Sequence, residues 1–415
     1  MKILQVNCVY NKGSTGKIMC DIDRQLAKAG IETVICYGRG EKVSKPGVYK
    51  TCGELYSKCN HLLSCFTGIM YGGCFFSTRK LIRVIQREKP DVVHVHCING
   101  YFVNIYRLMR WLNIHHIPTV LTLHAEFMYT ANCGYALDCE QWKTGCGHCP
   151  RNRQETKSIF LDRTAQSWRK MKKAFEGFGN FLTVCSVSPW LMERAKVSPI
   201  LQGFHHEVVL NGIDTSVFHR KKEGSDFKDK FGLNGKKMVL HVTANFSDPI
   251  KGGRHVLALA ERMKNQEVVF VVVGNRDQTI PMPDNVLDIG RVEDQSELAS
   301  VYSAADVTLL TSEKETFSMV CAESLCCGTP VVGFQAGAPE GISIPEYSSF
   351  VEYGRIECLQ EKLEEFLFHK KWDPEAVSHR AMGVYSSETM ADQYKNLYID
   401  LMEKTKNGKT GVSTE

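Results

Sequence analysis

One stretch of the chain, residues 305–340, has the pattern of a complete strand–helix–strand unit. The apolar run 307–310 predicts a buried strand, and the apolar run 331–334 predicts a second one. Between them a helix is expected over residues 317–327, closed by Gly328 in a cap position. Because ligands of open α/β sheets bind just past the carboxyl ends of the strands, the start of this helix is the first candidate for a binding site.

Two carboxylates mark this unit. Glu315 lies in the loop before the helix and Glu323 lies inside the helix, so the two should reach a ligand from different directions. The backbone N–H groups of Ser318, Met319 and Val320 fall at the helix N-terminus, where the helix dipole suits a diphosphate. Carboxylates near a helix start also serve as caps, so the spacing leaves ligand binding and capping equally open.

Apolar strands alternate with amphipathic helices along the chain, which predicts doubly wound parallel sheets. The 415 residues exceed what one core supports, so two domains are expected. The run 181–187 is expected to be the last strand of the first half. Strands are predicted at residues 2–7, 33–37, 90–96, 119–123, 181–187, 238–243, 268–274, 307–310 and 331–334.

Composition narrows the classes of function. A net charge of +5 argues against a dedicated nucleic-acid binder, although it suits an anionic substrate or a membrane surface. The initial run MKILQVNCVY lacks the layout of a signal peptide, and the chain has no run of about 18 uncharged apolar residues. We therefore expect a cytoplasmic protein whose 17 cysteines are mostly reduced thiols.

Residues 56–85 form an apolar segment with scattered basic residues. An acceptor-facing surface or an in-plane membrane contact would have this composition. Two ordinary amphipathic helices packed on the sheet explain it as well, and the pattern favours them.

A glycine-containing turn follows the first predicted strand. A phosphate-binding P-loop would need Gly at position 11 and Ser or Thr at position 18, where this chain has Asn11 and Ile18, so we reject that motif. Gly13 and Gly16 still allow a close approach to a ligand, or they simply form a tight turn. The same two glycines fall short of the G-x-G-x-x-G expected of a dinucleotide-dependent oxidoreductase.

Four cysteines form a C-x5-C-x6-C-x2-C pattern, which we call the cysteine cluster: Cys133, Cys139, Cys146 and Cys149. Four thiolates can surround a structural zinc ion, and the last pair has the usual ligand spacing. Reduced free thiols and disulfides are the alternatives. A catalytic metal is not expected, because four cysteine ligands leave no open coordination position.

The segment 315–340 resembles the donor-site signature of the retaining glycosyltransferases of family 4, through Glu315-x7-Glu323, FSMVCAESLCCGTPVV and GAPE. The resemblance covers nearly the whole chain. It implies a GT-B fold, α/β, with two Rossmann-like doubly wound domains facing a central cleft. The implied parts are an acceptor-side domain 1–205 with a cysteine-rich insert 126–153, a nucleotide-sugar domain 206–385, a terminal helix 386–405 that crosses back to the first domain, and a disordered tail 406–415.

The resemblance also implies residue roles. Glu315 would contact the donor sugar and Glu323 the ribose, while Lys251 would meet the diphosphate. His124, in the segment TLHAEF, would lie beside the donor sugar. The catalytic residues would be His124, Glu315 and Lys251, and the donor-binding residues Gly13, Gly16, Arg291, Phe317, Ser318, Met319, Val320 and Glu323.

Two positions depart from the family pattern. Asn245 stands where the family has an arginine, so one cation is missing unless Arg254 or Arg291 replaces it. Ala125 stands where the family has an aspartate after the histidine, which puts the role of that acid in doubt.

The implied activity is retaining transfer of a sugar from a UDP- or GDP-linked donor to a glycan or lipid-linked glycan acceptor in capsule or exopolysaccharide biosynthesis. No cofactor would be required for catalysis. The enzyme would have no nucleic-acid partner and would work in the cytoplasm, with peripheral contact to the inner face of the plasma membrane. The alternatives are a dinucleotide-dependent oxidoreductase and a zinc-stabilised binding scaffold without enzymatic activity. The scaffold alternative leaves the segment with Glu315 and Glu323 unexplained.

Overall fold

The computed structural model of the protein describes residues 1–222 and 224–410. Two compact units make up this part of the chain. Unit 1 contains Met1–Leu210 and the segment from Met390 onward, and unit 2 contains Asn211–Thr389. The first boundary between the units follows residue 210, whereas the boundary predicted from the sequence followed residue 205.

Unit 1 is built on a seven-stranded parallel sheet. Its strand order is β3-β2-β1-β4-β5-β6-β7, so the direction of winding reverses between β1 and β4. Ligands of doubly wound sheets bind at the carboxyl ends of the strands beside such a reversal. The strands are β1 (Lys2–Val9), β2 (Glu32–Arg39), β3 (Val48–Lys50), β4 (Val92–Val95), β5 (Thr119–Leu123), β6 (Leu182–Ser186) and β7 (His205–Val208).

Helices connect these strands, and two of them begin at side-chain caps. Asn104 accepts a hydrogen bond from the amide of Arg107 and starts α4, and Ser188 accepts one from Leu191 and starts α8. The helices are α1 (Gly13–Lys28), α2 (Glu54–Thr67), α3 (Phe75–Glu88), α4 (Ile105–Ile114), α5 (Phe127–Thr130), α6 (Asn152–Glu155), α7 (Thr164–Phe175) and α8 (Pro189–Lys196).

The run 181–187 is not the last strand of unit 1, so that prediction was wrong. β7 follows it and pairs in parallel with β6, where Thr183 lies opposite His205. Three of the four residues of β7, HHEV, are polar and all four are at least partly exposed, as an edge strand allows, so β7 lacks the apolar run that marks a central strand. The short edge strand β3 was missed as well.

The two helices predicted within residues 56–85 are present, but only one packs as expected. α3 buries an apolar face that includes Leu81, Ile82 and Ile85. In α2 the buried side chains are Ser57, Asn60 and Ser64, whereas its leucines are exposed. The prediction of ordinary amphipathic packing is therefore wrong for α2, whose polar side chains bond to neighbouring loops.

Unit 2 contains a six-stranded parallel sheet of order β10-β9-β8-β11-β12-β13. The central strands carry the core, where Val239, Phe270, Leu309 and Val332 are fully buried. Strands predicted at 307–310 and 331–334 have those bounds in the structure. The strands are β8 (Lys237–Asn245), β9 (Val268–Asn275), β10 (Val286–Gly290), β11 (Val307–Leu310), β12 (Val331–Phe334) and β13 (Ser348–Val351).

All neighbouring strands of this sheet pair in parallel, so each connection between successive strands is a crossover and the sheet is doubly wound. A π-helical turn at Glu365–His369 follows α14. The helices are α9 (Gly224–Lys230), α10 (Gly253–Arg262), α11 (Gln295–Ala304), α12 (Met319–Cys326), α13 (Pro339–Ile342), α14 (Ile356–Glu364) and α15 (Pro374–Tyr385).

The last helix, α16 (Ser387–Thr410), enters unit 1 at Met390. Two of its tyrosines are buried there: Tyr398 hydrogen-bonds His94 and Tyr394 hydrogen-bonds Thr122. The tail predicted as disordered over 406–415 is helical as far as Thr410, and its remaining residues lie outside the described part of the chain. Among the described helices, none is both long and apolar enough to cross a lipid bilayer.

Candidate functional site

Lys251 and Glu315 form an ion pair at the carboxyl edge of the unit 2 sheet. Lys251 follows β8 and Glu315 follows β11, and these two strands are neighbours. The Lys251 Nζ donates to Glu315 Oε1 at 2.8 Å. The lysine side chain is 28% exposed and the glutamate 17%, so both charges remain accessible to a ligand. Both residues were predicted from the sequence as site residues, and the structure shows that their side chains are in contact.

The backbone around Lys251 is fixed against the loop after β11. The Thr311 hydroxyl donates to the Lys251 carbonyl at 3.1 Å, and the Glu313 amide donates to the Ile250 carbonyl at 2.8 Å. Gly252 makes this approach possible, because its φ is +72° and an added Cβ would lie 2.0 Å from the Thr311 carbonyl oxygen. The glycine turn thus fixes the backbone that carries the Lys251 ammonium.

The Glu315 backbone is held on its other side by the GAPE segment. Its amide donates to the Ala336 carbonyl at 2.9 Å, and its carbonyl accepts from the Ala338 amide at 3.3 Å. The Glu340 carboxylate accepts from the amides of Ala336 and Gly337 at 3.1 and 2.9 Å. Glu340 therefore shapes this loop, which accounts for the glutamate of that motif.

Helix α12 begins at Met319, two residues later than predicted. Ser318 is its N-cap, and the Ser318 hydroxyl accepts from the Cys321 amide at 3.3 Å. The amides of Met319 and Val320 belong to the first turn, whose N–H groups have no partner within a helix. Ser318 has a φ of +84°, a costly conformation for a residue with a side chain, and such strain is concentrated at ligand sites. Phe317 is buried and serves the core.

Glu323 lies on the second turn of α12 and is oriented by a residue that the sequence analysis missed. The buried Tyr302 hydroxyl donates to Glu323 Oε2 at 3.0 Å. Burial, with the adjacent Glu323 charge, raises the pKa of Tyr302 well above its usual value, so the phenol stays a donor. Tyr302 lies on α11, where an aromatic residue in an amphipathic helix predicts only core packing.

His241 on β8 is a second residue that sequence reasoning missed. Its Nδ1–H donates to the Leu309 carbonyl at 3.0 Å, which leaves Nε2 without a proton. That Nε2 is buried and has no hydrogen-bond partner in the described part of the chain. Burial, aided by the charge of Lys251, lowers the pKa of His241 to about 4. A neutral imidazole thus lies in the electrostatic field of Lys251.

In unit 1, His124 follows β5 and belongs to a buried chain of hydrogen bonds. Gln5 Nε2 donates to the Met19 carbonyl at 3.3 Å, so Gln5 Oε1 accepts from His96 Nε2–H at 3.0 Å. His96 Nδ1 then carries a lone pair and accepts from His124 Nε2–H at 3.3 Å. The chain assigns His124 the Nε2–H tautomer, in which Nδ1 is the acceptor.

Burial keeps these histidines neutral. It lowers the pKa of His124 to about 4, and it lowers those of His94 and His96 well below the usual value. His94 is held by Tyr398 at 2.6 Å and by Thr122 at 2.7 Å. The sequence analysis selected His124, which is one member of this chain of hydrogen bonds. His96 is a second member, and only its contact with His124 across the sheet identifies it.

The other predicted donor-binding residues are spread over both units. Gly13 starts α1 with a φ of +63°, and an added Cβ on Gly16 would lie 3.2 Å from Val9, so both shape the turn after β1. Arg291 is largely exposed and pairs with Glu293 at 3.4 Å. It follows β10, the outermost strand of its sheet, two strands away from β8.

Arg254 and Asn245 also lie in unit 2. The Arg254 guanidinium donates to the Tyr353 hydroxyl at 2.9 Å. Asn245 ends β8, and its side-chain oxygen accepts from the Ser247 amide at 3.1 Å. These contacts do not identify a replacement for the family arginine, so the proposed substitution by Arg254 or Arg291 stays a prediction.

The cysteine cluster consists of free thiols that influence one another electrostatically. Burial raises the pKa of Cys146 to about 12, with smaller contributions from Cys139 and Cys149. No group of three or more His, Cys, Asp or Glu side chains among the described residues is arranged to hold a metal ion. The insert has another anchor, since Arg194 donates to the buried Glu126 at 2.6 Å. Structural zinc stays a prediction.

Two family models match the sequence, one in each half. The model described as glycosyl transferases group 1 matches residues 225–381, which include the Lys251–Glu315 pair and α12. The model described as glycosyltransferase family 4 matches residues 16–217.

Similar proteins match nearly the full length of the chain. The putative colanic acid biosynthesis glycosyl transferase WcaC of Escherichia coli K12 is 23% identical, over 97% of this chain and 100% of its own. A sucrose-phosphate synthase from Thermosynechococcus elongatus has a TM-score of 0.66 at 17% identity, over 97% of this chain and 99% of its own. Anabaena Alr3699/HepE in complex with UDP has a TM-score of 0.63 at 14% identity, over 96% and 100%. These likenesses confirm the predicted fold class, two Rossmann-like domains of the GT-B type.

Proposed function

Since this chain belongs to the glycosyltransferases that the group 1 and family 4 models describe, we propose that it transfers a sugar from a nucleotide diphosphate donor, UDP- or GDP-linked, with retention of the anomeric configuration. The acceptor is a glycan or lipid-linked glycan of a cell-surface polysaccharide, reached at the cytoplasmic face of the plasma membrane. The name of the Escherichia coli relative supports this class of product, and the UDP of the Anabaena complex supports the donor.

The Lys251–Glu315 pair is the observation that carries the proposal. Departure of a nucleoside diphosphate builds negative charge on its terminal phosphate, and a preorganised cation stabilises that charge most effectively. An ammonium has three donors, so Lys251 can keep its bond to Glu315 while donating to a phosphate oxygen. The first-turn amides of Met319 and Val320 would bind the same diphosphate at the positive end of the α12 dipole.

Glu323 is suited to the ribose. Each carboxylate oxygen has two lone pairs, so Glu323 can accept a hydrogen bond from a ribose hydroxyl while Oε2 keeps its bond from Tyr302. The fixed orientation reduces the side-chain entropy that would otherwise be lost when the donor binds.

We propose that His124 orients the sugar of the donor by accepting a hydrogen bond from one of its hydroxyl groups. The hydrogen-bond chain commits Nε2–H to His96, so Nδ1 is the atom that would accept from a sugar hydroxyl. A neutral imidazole suits this role, because it adds no charge that would compete with Lys251 for the diphosphate.

A panel of nucleotide sugars tests the proposal. Protein incubated with each donor and with a polyprenyl-diphosphate glycan should release nucleoside diphosphate with one donor, and mass spectrometry should find the acceptor enlarged by that sugar. The Glu313→Gln variant is a matched control, because this carboxylate lies in the same loop as Glu315. Release from no donor, or equal loss of activity in Glu313→Gln and Glu315→Gln, would contradict the assignment.

A further inference from the structure

Helix α2 has its polar side chains inside and its apolar side chains outside. The Ser57 hydroxyl donates to the Gly100 carbonyl at 3.0 Å, and the Ser64 hydroxyl donates to the Ile69 carbonyl at 2.9 Å. Asn60, one turn from each, accepts from the amide of Cys74 at 2.7 Å. These bonds fix the helix with its polar stripe inward.

The opposite face of α2 is an apolar stripe at helical spacing, Leu55, Leu62, Leu63 and Phe66, and all four side chains are about half exposed or more. Leu55 is 76% exposed. Such a stripe normally packs against a core, so its exposure requires another explanation.

Neighbouring segments extend this stripe into a patch. Phe75 and Phe76 at the start of α3 are exposed, and the Phe76 ring lies 6.0 Å from the ring of Tyr56 on α2. The loop 159–161 adds three more exposed apolar side chains and is tied to α2, since the Ile159 amide donates to the Cys65 carbonyl at 3.0 Å. We call the α2 stripe, Phe75, Phe76 and this loop the apolar patch.

Basic residues of the segment 157–173 border the apolar patch. Arg163 and Lys170 line, with Leu63 and Phe75, a cavity of about 260 Å³. Between residues 157 and 173, six of the seven charged side chains are basic. An apolar surface bordered by positive charge is suited to an anionic partner.

Two acidic residues lie in these segments, and both are hydrogen-bonded. Glu54 at the start of α2 is bonded to Arg39 at 2.8 Å, and Asp162 accepts from the hydroxyl of Thr164 at 2.6 Å. Arg39 therefore neutralises Glu54, whereas Asp162 keeps its charge and is outnumbered by the six basic side chains of residues 157–173.

We propose that the apolar patch docks unit 1 onto an anionic lipid bilayer, with α2 lying in the plane of the interface. Apolar side chains would enter the headgroup boundary while the bordering cations meet lipid phosphates. A second copy of this chain is a poorer occupant, because a symmetric contact through the patch would bring two basic rims together. The contact is interfacial, since no described helix can span a bilayer.

Vesicle co-sedimentation of the full chain tests this proposal. Wild type should sediment with vesicles of equal parts phosphatidylcholine and phosphatidylglycerol, and much less with phosphatidylcholine alone. The double variant Leu62→Asn/Phe66→Asn should bind at least about tenfold more weakly. Ile114→Asn, which changes a 60% exposed apolar residue on α4, should bind like wild type.

The cations are tested separately with Arg163→Gln/Lys170→Gln, which should lose about fivefold in vesicle affinity for each charge removed. All variants alter exposed side chains, so their melting temperatures should match wild type, which excludes unfolding as the cause.

Absence of wild-type binding, or equal binding by the Leu62→Asn/Phe66→Asn variant, would overturn the proposal. So would a dimer in light scattering that this double variant abolishes, because the patch would then be a contact between copies. None of these measurements uses a donor sugar, so their failure is distinguishable from failure of the proposed transfer activity.

Discussion

The substitution Gly252→Ala tests whether the turn after β8 positions Lys251. An alanine at φ +72° costs about 1 kcal/mol of backbone strain. Its Cβ would also lie 2.0 Å from the Thr311 carbonyl oxygen, whereas a carbon–oxygen contact needs about 3.3 Å, so the loop must move by roughly 1.3 Å.

That movement strains two hydrogen bonds, from Thr311 to the Lys251 carbonyl and from Glu313 to the Ile250 carbonyl, worth about 1 kcal/mol each. The free energy of unfolding should therefore fall by about 3 kcal/mol. Because a displacement of this size moves Lys251 away from the diphosphate, turnover should fall by roughly a hundredfold.

Gly235→Ala is the matched control. Gly235 also lies in unit 2 and has a φ of +79°, but an added Cβ there meets nothing within 4 Å. It should lose only the strain of about 1 kcal/mol and keep its turnover. Denaturant unfolding and initial rates of nucleoside diphosphate release would be measured on both variants. If Gly252→Ala and Gly235→Ala gave the same stability and the same turnover, the positioning role of the turn would be refuted.

Four further predictions concern the site and the fold. Glu323→Ala should weaken nucleoside diphosphate binding by about 1.5–3 kcal/mol in calorimetry, whereas Glu315→Gln should mainly slow transfer; wild-type values in both would reject the roles of these acids. His124→Ala should lower turnover strongly and leave diphosphate affinity nearly unchanged, and a folded variant with full turnover would remove it from the site. The folded pKa of His124 is about 4 and its unfolded pKa about 6.5, so the unfolded chain binds more protons between these values. The free energy of unfolding should therefore fall as the pH drops from about 6.5 towards 4, and His124→Gln should reduce that slope in pH-dependent denaturation. Elemental analysis of protein purified without added metal tests the zinc predicted from the spacing of the cysteine cluster, whose thiols are not grouped around a metal in the described structure: about one zinc per chain would support the prediction, and none would leave only thiols.

Regular apolar runs made much of the fold predictable. Strands at 307–310 and 331–334 could be delimited because the central strands of a parallel sheet are buried on both faces. The edge strand β7 could not be predicted, because a strand at the edge of a sheet can be formed by polar residues that face solvent. α2 misled the analysis for a related reason: helical spacing identifies a stripe, but contacts with distant loops decide which stripe is buried.

The site was predictable only in part. Lys251 and Glu315 could be selected singly, but their pairing depends on β8 and β11 being neighbours in the sheet. Tyr302 and His96 act through contacts formed only in the folded chain, and neither stands in a pattern that marks a ligand site. Long-range partners of this kind carry no local signal in one sequence.

The central claim is that a nucleoside diphosphate binds at Lys251 in unit 2, and calorimetric titration with UDP and GDP tests it most directly. Lys251→Met keeps the length of the side chain and removes the charge, and Lys264→Met is a control because Lys264 is exposed and pairs loosely with Glu261 at 3.8 Å. Wild type and the control should bind one of the two nucleotides with equal affinity, and Lys251→Met should bind it at least about tenfold more weakly. Unchanged affinity in Lys251→Met, or no binding of either nucleotide by wild type, would contradict the account.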